Sequence, residues 1–344
     1  MSEEGELDRA TDRTTVAAAD ADAVLGLVVI GRNEGERLER CLKSLSVSGA
    51  PLVYVDSGST DGSVATAEAR GATVVELDLR VPFTAARARN AGFRRLCAGH
   101  PSLAFVFFVD GDCEVDSGWT DAALSFFRCR PKAAAVCGRL RERYPERSVY
   151  NRLCDLEWNA VVGEVRSCGG IVVMRVDALQ AVGGFRDELI AGEEPELCVR
   201  LRKAGWSVWR IPSEMALHDA ALLRFGQWWR RAKRGGHAYA EGAHLHGAPP
   251  ERYAVRETRR AMVWGLVLPM LLVLLFLTDV RWFWLATLYP AQVLRLAWRF
   301  SADGRPDWTR AFFMVLARFA EASGVVKFHW NRLLRRRTAL IEYK

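Results

Sequence analysis

A short apolar run that ends in two aspartates constrains the fold of this chain more than any other stretch. Residues 105–109 read Phe-Val-Phe-Phe-Val, and Asp110, Gly111 and Asp112 follow at once. The run is short and rich in aromatic and β-branched residues, so it predicts a buried strand rather than a helix. Such an unbroken apolar strand is typical of a parallel sheet covered on both faces. The carboxyl end of the strand is where open α/β sheets bind ligands.

The two aspartates have two interpretations. Carboxylate oxygens suit Mg²⁺ or Mn²⁺, particularly where a substrate phosphate completes the coordination shell. The alternative is a turn with solvated carboxylates, since the same spacing recurs at Asp20 and Asp22 in a polar tail with no strand before it. The spacing alone leaves both interpretations open.

Strands alternate with helices along the first half of the chain. The predicted strands and helices are, in chain order, 24–30, 36–45, 52–56, 64–70, 73–77 and 84–97. This alternation predicts right-handed crossovers, and hence an α/β fold with a Rossmann-like, mostly parallel sheet flanked by helices. Asp56 ends one strand as Asp110 ends another, so both carboxylates are expected at one edge of the sheet. That coincidence favours a ligand crevice over two structural turns.

The second half of the chain adds further acids and a histidine. The predicted elements are a strand at 133–138, a helix at 150–162, a strand at 169–174, helices at 176–182 and 197–204, and a strand at 206–211. Glu193 and Glu194 precede the helix at 197, where acids also favour the helix dipole. His218 follows the last strand. Helix capping and catalysis both remain open for the glutamates, as structural and ligand roles do for the histidine.

Charge and cysteine content limit the cellular setting. The net charge is +7, with an acidic segment at 1–22, which is predicted to be a disordered tail, and arginines concentrated in the C-terminal third. Basic residues beside apolar runs favour an anionic membrane surface, and nucleic acid is not predicted as a partner. The eight cysteines contain no Cys-x-x-Cys pair, so we expect reduced core residues in the cytoplasm. The N-terminal residues do not predict a signal peptide.

Two apolar segments predict a C-terminal membrane-associated helical region. Residues 262–278 carry no charge, and a second apolar segment, 282–294, follows a short polar connection. We therefore predict a basic linker at 236–260, a two-helix transmembrane hairpin at 261–298, and an interfacial helix with a basic cytoplasmic tail at 299–344. Two spans place both arginine groups on the cytoplasmic side; these groups are Arg256, Arg259 and Arg260, and Arg332, Arg335, Arg336 and Arg337. The alternative is a soluble pair of core helices.

The order of several short motifs resembles the family 2 glycosyltransferases of the membrane-anchored bacterial or archaeal type, which have the GT-A fold. The motifs are the strand and turn at 28–34, the loop at 54–63, Arg-Asn-x-Gly at 89–92, Asp-x-Asp at 110–112, and Gly-Gly-Phe, Glu-Glu and Leu-x-x-Arg-Leu within 183–201. The resemblance covers residues 25 to about 235, which predicts a glycosyltransferase domain at 23–235. It implies a nucleotide-diphosphate sugar donor (UDP favoured), Mn²⁺ or Mg²⁺ as the cofactor, and inversion at the anomeric carbon.

The resemblance also implies roles for individual residues. Donor binding falls to Glu34, Asp56, Arg89 and Asp110. Asp112 would ligate the metal, and His218 would reach the metal or the leaving pyrophosphate. Glu194 stands where the family usually has Asp and is the first candidate for the catalytic base, with Glu193 second.

A further motif partly matches the Gln-x-x-Arg-Trp of polymerising family members. It predicts acceptor or pyrophosphate contacts for Gln227, Trp228, Trp229 and Arg230. Arg231 replaces the final Trp, which favours transfer of a single sugar over processive synthesis. The same segment also fits a basic amphipathic helix on a membrane.

The combined prediction is a metal-dependent inverting glycosyltransferase of the cell inner membrane, with its catalytic domain on the cytoplasmic side. It would move one sugar to a lipid-linked or membrane-delivered acceptor, for cell-surface polysaccharide or glycoconjugate synthesis. The alternatives are a non-catalytic sugar-nucleotide-binding or scaffold protein at the membrane, and a sugar nucleotidyltransferase. The latter usually has a Gly-rich basic loop after its first strand, whereas residues 31–35 are short and acidic.

Overall fold

The computed structural model describes residues 24–46, 49–301 and 303–336, so the predicted tail at 1–22 and Arg337 lie outside the described residues. The described chain divides into two compact units. Unit 1 comprises 24–143, 155–188 and 193–220, and unit 2 comprises 144–154, 189–192 and 221–336.

Unit 1 contains one sheet, which within the described residues has nine strands. The strands are β1 (Val24–Gly31), β2 (Leu52–Asp56), β3 (Thr73–Glu76), β4 (Leu103–Asp110), β5 (Cys113–Val115), β6 (Ala133–Glu142), β7 (Gly163–Glu164), β8 (Val172–Arg175) and β9 (Ser207–His218). They lie in the order β3-β2-β1-β4-β8-β6-β9-β5, with β7 beside β9.

The first four strands are parallel to one another, as the alternation of strands and helices predicts. β6 and β9 are also parallel. β8 runs antiparallel between β4 and β6, and β5 and β7 run antiparallel to β9. The predicted α/β class is confirmed, and the second half makes the sheet mixed.

Helices cover both faces of the sheet. They are α1 (Glu36–Leu45), α2 (Ser63–Ala69), α3 (Ala85–Gly99), α4 (Trp119–Cys129), α6 (Val176–Ala181) and α7 (Glu193–Lys203). A further helix, α5 (Val149–Trp158), has residues in both units. Alternate residues of a strand point to opposite faces. Phe105 and Phe107 therefore join one core cluster while Val106 and Phe108 join the other. Burial on both faces explains why this strand has no polar residue before Asp110.

Four features of unit 1 were not predicted from the sequence. Helix α4 and the short strands β5 and β7 were not assigned to any element, and β9 continues to His218 rather than ending at 211. Pro212 lies inside β9, where the pairing with β6 shifts register near Cys137 and Arg139. Such irregular pairing tolerates a residue that lacks an N–H.

Unit 2 is helical in its larger part. Its helices after α5 are α8 (Phe225–His246), α9 (Val255–Thr278, with a π-helical turn at Val263–Val267), a 3-10 helix (Val280–Thr287), α10 (Leu288–Arg299) and α11 (Trp308–Leu333). The predicted boundary at 235 falls inside α8, and the region predicted as a linker is helical at 236–246 and 255–260.

Among the described residues, α9 alone is long and apolar enough to cross a membrane. Only 6% of its most apolar window is buried. The second predicted span is divided between the 3-10 helix and α10, and the predicted interfacial segment lies in α11. The transmembrane hairpin therefore stays a prediction.

Glycines bring the helices of unit 2 into close contact. A Cβ atom on Gly236 of α8 would collide with the carbonyl oxygen of Glu321 in α11, and one on Gly324 with that of Lys233. A Cβ atom on Gly235, by contrast, would meet no atom within 4 Å. Gly236 is thus packed against the neighbouring helix, whereas the adjacent Gly235 has room for a side chain.

We predict that Gly236→Ala lowers the thermal stability of the protein, because a methyl group would force two helix backbones apart; overpacking of this kind costs about 1–3 kcal/mol. Gly235→Ala is the matched control and should raise the stability by about 0.5–1 kcal/mol, since alanine favours the helix. Thermal unfolding of the two variants and of the wild-type protein measures both changes. Equal melting temperatures for the two variants would contradict the close contact.

Candidate functional site

The two acids that end β2 and β4 lie at one edge of the sheet. β1 runs between these strands, with Gly31 opposite Asp56 and Ile30 opposite Asp110. Parallel pairing in this register places the carboxyl ends of three neighbouring strands together. This is the edge where the sequence predicts a ligand crevice.

A buried guanidinium joins Asp110 to Glu193. The Nη2 atom of Arg89 donates to Asp110 Oδ1 (2.8 Å), and its Nη1 atom donates to Glu193 Oε1 (2.6 Å). Burial alone would lower the pKa of Arg89, but the two carboxylates raise it, so the guanidinium stays charged. Gly170 packs against this group, because a Cβ atom there would collide with the guanidinium and lie 3.3 Å from Asp110 Oδ2. The cluster ties α3, β4 and α7 together.

A second cluster forms where Asp112 meets His218. β5 pairs with β9 so that Cys113 lies opposite His218. Asp112 Oδ1 is 3.3 Å from His218 Nε2, and one possible ligand atom from each of Asp112, Cys113 and His218 lies within 4.8 Å of the others. The sheet therefore brings together the predicted metal ligand and the predicted histidine.

Residues that the sequence analysis did not single out surround His218. The indole of Trp158 meets the imidazole edge-on, with the ring centroids 4.7 Å apart. Glu142 lies opposite His218 in the pairing of β6 with β9, and its carboxylate accepts a bond from the Ala220 N–H (3.1 Å). These contacts join distant parts of the chain, so no local pattern indicates them.

The two candidate bases have different surroundings. Glu194 is 1% exposed, and its two carboxylate oxygens accept bonds from the backbone N–H groups of Cys168 (2.8 Å) and Gly169 (2.9 Å). Burial raises the pKa of the Glu194 carboxyl, although these bonds and the Cys198 thiol oppose the shift. Glu193 belongs instead to the Arg89 cluster. Glu194 thus holds the loop before β8, while Glu193 is linked to Asp110 through Arg89.

Asp56 supports the turn that follows its own strand. Its Oδ2 atom accepts bonds from the N–H groups of Gly58 and Ser59, both at 2.8 Å, and its Oδ1 atom accepts one from the Tyr54 hydroxyl (3.1 Å). An oxygen that accepts one bond retains a second lone pair. Asp56 therefore shapes the predicted nucleoside loop and retains capacity for a further contact.

The turn after β1 and the loop after β2 are bonded to each other. The N–H of Asn33 donates to Ser59 Oγ (2.9 Å), the N–H of Thr60 donates to Asn33 Oδ1 (2.7 Å), and the N–H of Gly35 donates to Asp61 Oδ2 (2.9 Å). We call these bonds the loop bridge. Its side chains were recognised in the sequence only as parts of motifs.

Glu34 lies in the same turn. Its carboxylate forms an ion pair with Arg37 at 2.8 Å. Its Cγ atom would lie 3.3 Å from a Cβ atom on Gly111. Glu34 is thus next to the turn that carries Asp110 and Asp112.

Asn90 holds the Gly-Gly-Phe segment. Its Nδ2 atom donates to the Phe185 carbonyl (2.8 Å) and to Asp187 Oδ1 (2.6 Å), and its Oδ1 atom accepts from the Phe185 N–H (3.0 Å). A Cβ atom on Gly184 would lie 2.7 Å from that oxygen. Two motifs that are distant in the sequence are therefore in direct contact in the structure.

The four predicted acceptor residues lie on α8, in unit 2. Gln227 Oε1 accepts bonds from the N–H groups of Leu223 and Arg224, both at 2.9 Å, so this side chain caps the helix. Trp228 is 6% exposed and packs against aromatic rings of unit 2. Trp229 is half-buried and Arg230 is exposed. Of the four side chains, Arg230 is therefore the most exposed and Trp228 the most buried.

Two family models match the chain. The model described as glycosyl transferase family 2 matches residues 27–166. The model described as glycosyl transferase family group 2 matches residues 106–301, which is more than half of the chain.

Two curated relatives come from Mycobacterium tuberculosis. A pre-mycofactocin glycosyltransferase is 27% identical over 209 residues, which are 56% of this chain and 42% of that protein. An N-acetylglucosaminyl-diphospho-decaprenol L-rhamnosyltransferase is 27% identical over 237 residues, which are 58% of this chain and 76% of that protein. The chain thus spans less than half the length of the first relative.

A solved structure resembles nearly the whole chain. It is the mannosyltransferase PcManGT from Pyrobaculum calidifontis in complex with GDP-Man and Mn²⁺, with a TM-score of 0.61 and 18% identity. The match covers 95% of this chain and 98% of that chain. At this identity the likeness shows a shared fold.

We predict that Arg89→Met lowers the free energy of unfolding by about 3–5 kcal/mol, since it leaves two neighbouring carboxylates without their shared cation. Arg94→Met on the exposed side of the same helix is the control, and its stability should stay within about 0.5 kcal/mol of wild type. Denaturant unfolding measures both. If the two variants are equally stable, the Arg89 cluster does not stabilise unit 1.

Proposed function

Because the chain belongs to the family 2 glycosyltransferases and has their GT-A fold, we propose that it transfers one sugar from a nucleotide-diphosphate sugar to an acceptor hydroxyl, with inversion at the anomeric carbon. The observation that carries the proposal is that two clusters of side chains lie at one edge of the sheet. Asp112 contacts His218 there, and Arg89 bridges Asp110, two residues before Asp112, and Glu193. This arrangement offers both a cation site and a polar surface for a sugar.

The Asp112–His218 cluster fits a divalent cation. A carboxylate oxygen and an imidazole nitrogen at 3.3 Å can both turn toward one ion, and oxygen and nitrogen ligands suit Mn²⁺, with Mg²⁺ as the alternative. The neighbouring Cys113 supplies a thiol, a soft ligand that such ions do not favour. A bound cation would offset the negative charge that develops on the leaving nucleotide diphosphate. Asp112 and His218 are the residues that would hold it.

The side chains around this cluster would orient the donor. Asp56 and Glu34 border the predicted nucleoside loop, and the loop bridge fixes that loop to the turn after β1. Asp110 is the least buried member of the Arg89 cluster, with a side chain that is 32% exposed. We propose that its carboxylate contacts a ribose or sugar hydroxyl, and that Arg89 holds it in position for that contact. UDP is our first choice of donor nucleotide.

The acceptor oxygen must lose a proton as it attacks the anomeric carbon. We propose Glu194 as the base, because burial raises the pKa of its carboxyl toward the range that suits proton transfer. Its bonds to the N–H groups of Cys168 and Gly169 would have to open as the acceptor binds. Glu193 is the second candidate. The nucleotide diphosphate leaves from the opposite side of the sugar ring, which gives inversion.

We propose that the acceptor is linked to a lipid or delivered at a membrane. The exposed apolar helix α9 supports this, and the rhamnosyltransferase relative bears the name of a lipid-linked substrate. In this proposal unit 1 works at the cytoplasmic side of the inner membrane. Arg230 is the predicted acceptor contact with the most exposed side chain. The product would serve cell-surface polysaccharide or glycoconjugate synthesis.

We predict that Mn²⁺ together with the correct donor raises the melting temperature, and that Asp112→Asn abolishes this shift. A ligand at a hundred times its dissociation constant stabilises by about 2.7 kcal/mol. A panel of UDP- and GDP-sugars, each tested with and without Mn²⁺, identifies the donor. Asp121→Asn removes the same charge from an exposed position and should keep the shift. Tight donor binding without metal, or an unchanged shift in Asp112→Asn, would disprove the metal site.

We predict that Glu194→Gln lowers the rate of sugar transfer about 10²- to 10⁴-fold while donor binding survives, because the amide cannot accept the proton. Glu194→Asp restores the residue usual in the family and should keep much more activity than Glu194→Gln. Glu193→Gln, tested in parallel, separates the two candidates. The rate is measured as a function of pH, which distinguishes a base from a residue that only holds the loop.

Full transfer by Glu194→Gln would remove Glu194 as the base. A large loss in Glu193→Gln alone would assign that role to Glu193. If wild type binds a donor but transfers no sugar to any lipid-linked acceptor tested, the non-catalytic alternative is favoured.

A further inference from the structure

Unit 2 contains a cavity lined mainly by arginine. Its volume is about 400 Å³. Its lining includes Arg252, Arg256, Arg259 and Arg260, together with Trp264. All four arginines are exposed, and they stand at or just before the first turns of α9. They therefore precede the apolar part of that helix.

A second cavity adjoins the first. Its volume is about 260 Å³, and it shares Arg260 and Trp264 with the first cavity. Its other basic lining residues are Arg295, Arg299 and Arg318. Arg295 and Arg299 belong to the last turns of α10, so the basic start of α9 and the basic end of α10 meet here.

All charged residues that line the two cavities are basic. No acidic residue lines either cavity among the described residues. Arg256, Arg299 and Arg318 all repel the positive charge of Arg260, and Glu257 opposes them. Arg318 is already paired with Glu321 at 2.7 Å. A bound anion would relieve the remaining repulsion, and guanidinium groups match the oxygens of a phosphate.

Apolar surface continues directly from the arginines. Beyond Trp264, large apolar side chains of α9 are exposed, among them Val267, Leu274 and Leu277. The Tyr289 hydroxyl of α10 donates to the carbonyl of Trp264 (2.8 Å), which holds the two helices together at a residue that lines both cavities. An exposed apolar surface that extends from Val267 to Leu277 of one helix indicates a partner that is itself apolar. A ligand that suits the whole region is anionic at one end and apolar at the other.

We propose that these two cavities bind the phosphate-bearing headgroup of an anionic membrane phospholipid, with its acyl chains along the exposed face of α9. The charge favours an anionic lipid over a zwitterionic one, because basic residues near a membrane surface attract anionic lipids. Such a lipid would hold unit 2 at a fixed depth in the bilayer. The site uses no residue assigned to donor, metal or acceptor, so it does not depend on the proposed activity.

The test uses the full chain in a neutral detergent, without donor or metal. Phosphatidylglycerol is titrated in, and the melting temperature gives an apparent affinity; phosphatidylcholine and soluble glycerol phosphate are titrated separately. Of these three compounds, we expect only phosphatidylglycerol to stabilise the protein strongly. The variant Arg256→Gln/Arg260→Gln/Arg299→Gln should bind it on the order of 100-fold more weakly.

The matched control is Arg332→Gln/Arg335→Gln/Arg336→Gln, which removes the same charge from exposed positions of unit 2 outside both cavities. It should keep the affinity to within about threefold of wild type. Should the triple cavity variant melt early without lipid, the exposed pair Arg256→Gln/Arg299→Gln replaces it. The pair Arg332→Gln/Arg335→Gln is then its control.

Three outcomes would overturn the proposal. Equal stabilisation by phosphatidylcholine would mean that only the acyl chains bind. Equal stabilisation by glycerol phosphate would mean a site for free phosphate. Equal loss in the cavity and control variants would mean a general charge effect rather than a built site.

Discussion

The buried guanidinium of Arg89 is the interaction on which unit 1 depends. A buried charge is costly unless it is paired and hydrogen-bonded, and Asp110 and Glu193 compensate this one from two different elements. The end of β4 and the start of α7 are therefore held at fixed positions relative to α3. Gly170 completes the arrangement, because a larger residue would collide with the guanidinium. Of the acids at this edge, Asp110 and Glu193 are therefore the two whose positions depend on Arg89.

Elements with strong local patterns were predictable, and elements defined by distant pairing were not. The unbroken apolar run before Asp110 predicts its strand because both faces of that strand are buried. β5 has only three residues and exists through its pairing with β9, and β9 continues past Pro212 through irregular pairing with β6. A proline in an apolar run normally ends a strand, so the local pattern misleads there. The register of distant strands is not encoded in either segment alone.

In the candidate site, too, local patterns were predictable and contacts between distant residues were not. The sequence predicts which acids lie at the sheet edge, but not what each one bonds. Asp56 and Glu194 accept bonds from backbone N–H groups, and Gln227 caps a helix. A carboxylate that supports a loop and one that meets a substrate have the same letter in a sequence. Asn90 is the converse case, since its motif was recognised but its contact with the Phe185 segment depends on the fold.

The loop bridge has a consequence for how the enzyme gains affinity. A free loop of small residues would lose conformational entropy each time a donor entered, and that loss would weaken binding. The hydrogen bonds between Asn33 and both Ser59 and Thr60, and between Gly35 and Asp61, order the segment during folding instead. In the proposed donor site, the nucleotide sugar would therefore bind to a loop that is already ordered. Loosening the bridge should accelerate dissociation without altering any group that touches the nucleotide.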